Sequence, residues 1–430
     1  MDMDIKLLYE KFLQSGHVST DTRQIIPGSV FFALKGPRFN ANSFAGEALR
    51  KGASYAVVDE KQFVTHDHII LVDDGLTALQ QLARHHRNQL NIPVIGLTGS
   101  NGKTTTKELT YAVLEKKYKT LATHGNLNNH IGVPITILSL NKSTEIAVVE
   151  MGANHVGEIA LLCDIAMPTH GLITNIGRAH IGTFGGFENI IAAKSELYQY
   201  LINHGGQVFI NSKNPILAAM ASKFDKPCFY LAPDDYYQSE LISADPFVRL
   251  KTENGEEVTT HLIGGYNFEN IAAALCIGKY FGVDQIQAYQ AVAEYIPQSM
   301  RSQVIHQGTN LIILDSYNAN PSSMEAAIEN LARMNASRKV AILGDMYELE
   351  EESDAEHRKL GALLNVLGIE EVYLCGILIL KTLETYPKAS YFATKRELML
   401  HLEKKHIHNA TILVKASRGM GLETVLDVLK

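Results

Sequence analysis

Lys103 and Thr104 follow directly on Gly102 in the stretch VIGLTGSNGKTTTKE, residues 94–108, and no other part of the chain joins residue types of such clear chemical use. Val94-Ile95-Gly96-Leu97 reads as a buried strand, Thr98 to Gly102 as a glycine-bearing turn, and Lys103 onward as a helix through Leu109, Val113 and Leu114. Strand, glycine-rich turn and helix together make the setting of a phosphate loop. The backbone N–H groups of Gly99, Ser100, Asn101 and Gly102, with the helix start at Lys103, Thr104 and Thr105, would face a polyphosphate. The helix dipole favours its negative charge. Lys103 would reach the β/γ-phosphates and the Thr104 hydroxyl would ligate Mg²⁺. The spacing is not the strict G-x-x-x-x-G-K-[ST], because Leu97 stands five before Gly102 and the glycines fall at 96 and 99. An ordinary left-handed turn is the alternative, but such a turn does not require Lys-Thr after its last glycine.

Other polar residues fall where neighbouring strands should end. Glu150 closes Ala147-Val148-Val149-Glu150, and a carboxylate there suits a Mg²⁺ ligand, although a lone acid is more often a cap or solvated. His180 follows Asn175-Ile176-Gly177-Arg178-Ala179 just beyond another strand; it is either a structural loop histidine or part of a second metal site. Lys194, inside a helical pattern, reads on its own as a surface lysine. Asn267 and Asn270 lie one helical turn apart and can face one ligand, for instance an adenine edge, while Asn267 alone could be a helix cap.

These residues must be carried by several cores. The chain has 430 residues, too many for one, and two to four domains are expected. A hydrophobic content of 46% with 20% charged residues describes a soluble globular protein. The net charge of −7 gives no reason to expect nucleic acid as a partner. Cys163, Cys228, Cys276 and Cys375 are widely spaced and read as buried free thiols. Met1-Asp2-Met3-Asp4 is acidic with no apolar leader, no run of 18 apolar residues occurs, and a cytoplasmic location without membrane contact is expected.

Alternating helical and strand patterns divide the sequence into residues 1–92, 93–297 and 298–430. The fold class expected is α/β throughout. It comprises a small N-terminal α/β unit, a central doubly wound parallel sheet around the phosphate loop, and a C-terminal Rossmann-like unit. Strands are predicted at 30–34 and 55–58; at 94–97, 146–150, 172–175 and 208–210; and at 311–314, 340–343, 372–374 and 412–414. A peripheral hairpin is predicted at 247–251 and 258–262. No G-x-G-x-x-G follows the first C-terminal strand, so dinucleotide binding finds no support there.

The form T-G-S-N-G-K-T-T resembles the ATP loop of the Mur ligases, the ATP-dependent amide-bond-forming enzymes of peptidoglycan synthesis, and the likeness extends along the chain. Asn175-Ile176-Gly177-Arg178-Ala179-His180 with Ala193-Lys194-Ser195-Glu196 is similar to the family segment whose histidine binds Mg²⁺ and whose lysine is carbamylated, with Gly182 where many relatives carry an acid. The resemblance thus implies Thr104, Glu150, His180 and carbamylated Lys194 as metal ligands, with Lys103, Lys194 and His180 catalytic. It implies that Asn267 and Asn270 meet the adenine, that Arg301 meets phosphate from across a cleft, and that Asp315 holds the ribose. Asp21-Thr22-Arg23, Pro27-Gly28 and Phe32-Ala33-Leu34-Lys35-Gly36 resemble the uridine-nucleotide signature, which places Thr22, Arg23 and Asn40 near a UDP moiety. Three further stretches resemble the members that add a D-alanyl-D-alanine dipeptide: residues 126–134, NLNNHIGVP; residues 317–324, YNANPSSM; and residues 343–349, LGDMYEL. Departures occur at Glu350 and Ala416, where such members carry glycine, and at Leu314, where a second acid is frequent. The implied partners are ATP, UDP-N-acetylmuramoyl-tripeptide and D-alanyl-D-alanine. Substrate contacts are expected from Asn126, Asn128, Asn129, Asn318 and Asn320, in a monomer. The rivals are a Mur ligase adding another residue, a folylpolyglutamate-synthase-like relative, and a P-loop ATPase or GTPase switch. The N-terminal signature opposes the folate relative, and the lack of N-K-x-D or a conventional Walker B opposes the switch.

Overall fold

The computed structural model describes residues 5–298 and 300–429; the acidic stretch Met1 to Asp4 lies outside them. The first unit holds a parallel sheet in the order Val18–Ser19, Val30–Phe32, Tyr55–Val58, Ile69–Leu71. Two helices close one side of it, Ile5–Ser15 and Gly75–Arg87, the second capped by the Asp74 carboxylate accepting from the Thr77 N–H. Leu8 and Phe12 share a core with Leu79 and Leu82, and this core runs on to Val133 and Ile137 of the central unit. The helix Gly75–Arg87 fastens the two units. His86 Nε2 bonds the Leu140 carbonyl at 2.8 Å, and buried Arg87 donates to the carbonyls of Ala166, Leu90, Ile92 and Met167.

The central sheet has six parallel strands in the order Cys228–Tyr230, Gln207–Asn211, His170–Ile173, Val94–Thr98, Ile146–Glu150, Thr120–Ala122. Every residue of Val94–Thr98 and Ile146–Glu150 is buried, as expected for parallel strands covered on both faces. Val94–Thr98 lies between strands that connect to opposite sides. A crevice therefore opens at its carboxyl end, where such sheets bind ligands. An antiparallel three-stranded sheet, Ser239–Ser243, Phe247–Thr252 and Glu257–Ile263, packs at the side.

The C-terminal sheet runs Gln303–Gln307, Asn310–Leu314, Thr411–Lys415, Lys339–Gly344, Glu371–Cys375, Ser390–Phe392, parallel except for its antiparallel first strand. Every predicted strand is present within a few residues. The strands the pattern misses, such as Val18–Ser19, Thr120–Ala122 and Ser390–Phe392, are edge strands of two or three residues, too short to show a period. Gln303–Gln307 is also an edge strand, half-exposed. All four cysteines are free and buried. Among the described residues no helix is long and apolar enough to cross a membrane.

Candidate active site

The turn after Val94–Thr98 has the shape its glycines permit. Gly99 has φ +149° and Gly102 φ +77°. A Cβ on Gly99 would lie 2.0 Å from Thr174 Oγ1, and one on Gly102 would lie 2.5 Å from Asn270 Oδ1. Larger residues would push away the very groups that hold the loop. Asn270 lies on the helix Tyr266–Tyr280; the other groups come from the segment just past the neighbouring strand His170–Ile173. The Ser100 N–H donates to the Asn175 carbonyl and the Asn101 N–H to Asn175 Oδ1. Thr174 Oγ1 donates to the Asn101 carbonyl at 2.6 Å, and Ser100 Oγ both donates to the Gly177 carbonyl and accepts from its N–H, each at 2.9 Å. The helix Lys103–Leu114 starts with no side-chain cap, so its first N–H groups stay available to an anion.

Lys103 is half-buried, and its ammonium donates to the carbonyls of Gly99 at 2.7 Å and Ser100 at 3.2 Å. Burial lowers its pKa, the nearby Glu150 carboxylate opposes that shift and Arg301 adds to it. Thr104 Oγ1 donates to Glu150 Oε2 at 3.0 Å and Asn128 Nδ2 to Glu150 Oε1 at 2.7 Å, while the Glu150 N–H donates to Thr123 Oγ1. A hydroxyl and a buried carboxylate side by side form an oxygen donor pair that fits Mg²⁺.

These groups form one wall of a cavity of about 690 Å³, lined also by Thr105, Asn126, Asn129, His180, Asn267 and Asn270. The opposite wall is C-terminal: Arg301, Ser302, Asp315, Tyr317, Asn318, Asn320 and Lys415. The Arg301 guanidinium lies 3.7 Å from the centre of the Tyr317 ring, and its Nε is buried without a hydrogen-bond partner. A buried guanidinium N–H without a partner beside a phosphate loop fits an anionic ligand. Asp315 accepts from the Ser302 N–H at 2.9 Å and pairs with Lys415 at 2.5 Å, which fixes its orientation at the strand end. Asn320 caps the helix Pro321–Arg333, and its Nδ2 donates to Asn101 Oδ1 at 2.9 Å, so the two walls touch at the phosphate loop.

Asn267 and Asn270 are buried and hydrogen-bonded to each other at 2.9 Å; Asn270 also accepts from Thr106 Oγ1 and Asn267 donates to the Ile263 carbonyl. The pair locks its helix to the phosphate-loop helix. Each Nδ2 keeps a second hydrogen for a ligand. His180 has φ +56° and its Nδ1 lies 2.5 Å from the Glu348 carboxylate of the C-terminal unit, which holds that carboxyl below the usual range.

Lys194 is 2% exposed and lies outside the cavity lining. Its amine reaches the Ala153 carbonyl at 3.4 Å and sits 5.3 Å from the centre of the Phe184 ring. Burial pushes its pKa down to about 7, with the charge of Lys103 adding and Glu158 and Glu196 opposing. Among the described residues no cluster of three or more His, Cys, Asp or Glu is arranged to hold a metal.

Thr22, Arg23 and Asn40 are apart from this cavity, on the first unit. Arg23 is exposed and pairs with Asp21 at 2.6 Å, holding that carboxyl at about 2. Asn40 donates to Glu60 and accepts from Asn42, which is itself bonded to Asp59. Sequence reasoning did not single out Asn175, Tyr266, Tyr317, Glu348 or Lys415. Asn175 was within reach, because its strand ends beside the phosphate loop. Tyr317 and Glu348 lie in stretches quoted above without a role of their own; Tyr266 and Glu348 meet their partners Ser302 and His180 across units, while Tyr317 and Lys415 meet Arg301 and Asp315 inside the C-terminal unit.

Two family descriptions match the chain: the Mur ligase middle domain over residues 97–278 and the Mur ligase, glutamate ligase domain over residues 300–418. The chain belongs to the Mur ligase family, and it is an ATP-dependent amide-bond-forming ligase. It is 37% identical, over 98% of its length and 94% of the relative's, to the UDP-N-acetylmuramoyl-tripeptide–D-alanyl-D-alanine ligase of Bacillus subtilis. Its fold is similar to that of MurF from Acinetobacter baumannii, with TM-score 0.87, 32% identity and coverage of 96% and 93% of the two chains. It is similar also to the MurF ligase of Thermotoga maritima solved in complex with ADP, with TM-score 0.84, 30% identity and 97% of each chain covered.

Proposed function

We propose that the chain joins the amine of D-alanyl-D-alanine to the terminal carboxylate of UDP-N-acetylmuramoyl-tripeptide, with ATP converted to ADP and phosphate. The observation that carries this reading is the full-length likeness to ligases of that name, together with one cavity that unites the phosphate loop, Glu150, Arg301 and Asp315. A carboxylate is a poor electrophile. Its oxygen attacks the γ-phosphorus, ADP leaves, and an acyl phosphate forms. The dipeptide amine then attacks the acyl carbon, phosphate leaves, and the amine's surplus proton passes to solvent.

The first step brings two anions together. Lys103 and Arg301, from opposite walls, offset their repulsion, and the free N–H groups of residues 102–105 hold the phosphates. Thr104 and Glu150 would hold Mg²⁺; His180 and a carbamate on Lys194 would hold a second ion. Bound Mg²⁺ supplies charge neutralisation on the transferring phosphoryl group. Asp315 orients the ribose and Asn267 and Asn270 the adenine. Asn126, Asn128, Asn129, Asn318 and Asn320 line the space left for the acyl substrate and the dipeptide. Contact between the walls keeps water from the acyl phosphate, which it would hydrolyse.

The reading assigns residues 1–92 to the UDP-substrate, 93–297 to ATP and 298–430 to closure over both, in a cytoplasmic monomer. Phosphate release tests the reaction: it should need the nucleotide peptide and the dipeptide together, and release with ATP alone would speak for an ATPase.

The separation of sites gives a further expected result. Arg23→Ala should raise KM for the UDP-substrate and leave KM for ATP unchanged, and Asn270→Ala should do the opposite. Asn270→Ala also removes the acceptor of Thr106 and the contact on Gly102. Titration of each substrate at saturation of the others checks both; weakened ATP binding in Arg23→Ala would overturn the assignment of the first unit.

A further inference from the structure

The segment that braces the phosphate loop has a second face. Through Asn175 and Gly177 it holds Ser100 and Asn101, as described above. One residue further, the Arg178 N–H donates to Ser322 Oγ at 2.8 Å, in the first turn of the helix Pro321–Arg333. A Cβ on Gly177 would lie 2.8 Å from that Ser322 oxygen, so the backbone rests directly on it. The Arg178 guanidinium reaches Glu325 on the same helix at 3.3 Å and Glu356 on the helix Ser353–Leu367 at 3.4 Å. The Glu356 side chain is only 3% exposed, while that of Arg178 is 36% exposed, so the pair sits at the edge of the seat with its carboxylate inside. A few residues on, Gly182 accepts close approach of the C-terminal backbone: a Cβ there would lie 2.5 Å from the Leu349 carbonyl carbon.

We propose that Arg178 is a positioning residue that seats the C-terminal unit on the brace of the phosphate loop, bringing Arg301, Asp315 and Asn320 to the nucleotide only when that seat is made. The inference rests on reading the cavity as the ATP site. The chain of contacts is continuous, from phosphate loop to Asn175 and Gly177, to Arg178, to Ser322 and Glu356. Arg178 touches no reacting group. Its effect is geometric, and misplacement of about 1 Å can cost on the order of 10²-fold in rate.

Arg178→Met keeps the stem and removes the charge. Glu356 retains Lys359 at 2.6 Å, so the fold is not left with an unpaired buried carboxylate. The expected result is a fall in kcat of about tenfold or more, an unchanged KM for the UDP-substrate and an unchanged melting temperature of the ligand-free chain. Arg178→Lys should recover part of the rate. Small-angle scattering with Mg²⁺ and a non-hydrolysable ATP analogue should give a larger radius of gyration for Arg178→Met than for the unsubstituted chain. If Arg178→Met does not fold, Ser322→Ala, which removes the acceptor of the Arg178 N–H, is measured the same way. A radius equal to that of the unsubstituted chain, or a kcat within twofold of it, would overturn the proposal. The scattering requires no turnover, so failure of the unsubstituted chain to ligate would refute the reaction and leave the test of Arg178 standing.

Discussion

Lys103→Ala and Glu150→Ala are each expected to lower turnover by about 10²–10³-fold, the usual effect of removing a charge aimed at a phosphoryl transition state. The Lys103 ammonium donates to two loop carbonyls, those of Gly99 and Ser100. Desolvation of its half-buried ammonium opposes those two hydrogen bonds, so the alanine variant should melt close to the unsubstituted chain. Glu150 is different: it accepts from Thr104 and Asn128, and its loss leaves two donors unpaired near the strand end. Glu150→Gln keeps the shape and one acceptor, and it separates loss of charge from loss of packing. Steady-state phosphate release with all three substrates, on variants with native-like circular dichroism, measures both. Near-normal turnover in either would remove that residue from the site.

The second large effect is expected at Lys194. A lysine that is 2% exposed and held near pKa 7 has a substantial neutral fraction at neutral pH, and the neutral amine is what reacts with CO₂. The nitrogen lone pair attacks the CO₂ carbon, one N–H proton leaves, and an anionic oxygen donor replaces a buried cation. Lys194→Ala should therefore be nearly inactive, and added acetate or formate should restore part of the rate by supplying the oxygen donor. Lys194→Arg should not be rescued, because its guanidinium fills the space with permanent charge. The sign of the pH dependence follows. The unmodified amine takes up its proton in the folded chain near pH 7 and in the unfolded chain near about pH 10. Unmodified Lys194 thus destabilises the fold progressively as pH falls through that window, with the full cost present below about pH 7. Without CO₂, Lys194→Met should melt higher than the unsubstituted chain at pH 6 and converge with it towards pH 10. Activity at fixed dissolved CO₂ should fall as pH drops below 7. A bare Lys194 amine in a structure with ATP and two Mg²⁺ ions bound would overturn the carbamate.

The phosphate loop was legible in the sequence because its chemistry is local. Gly99, Gly102, Lys103 and Thr104 sit within one turn, and backbone geometry alone dictates where glycine must stand and where a lysine can reach. The long buried strands were legible for a similar reason: apolar runs such as residues 146–150 leave few alternatives. The same physics placed Glu150 at a strand end. What it could not give were the partners of these groups. Asn101 meets Asn320 at a sequence distance of 219 residues, Asp315 meets Lys415 at 100, and Thr106 meets Asn270 at 164. Lys194 reads as a surface residue from its helix and is buried because Phe184 and the loop at Ala153 close over it. Gly182, a departure from the family pattern in sequence, is a place where the Leu349 backbone comes too close for any side chain. The sequence by itself therefore determined the class of chemistry, through residues adjacent along the chain. The tertiary structure alone decided which charges are paired, which are buried and how the two walls meet, because those depend on contacts between residues far apart along the chain, within units and between them, which leave no periodic trace in the sequence.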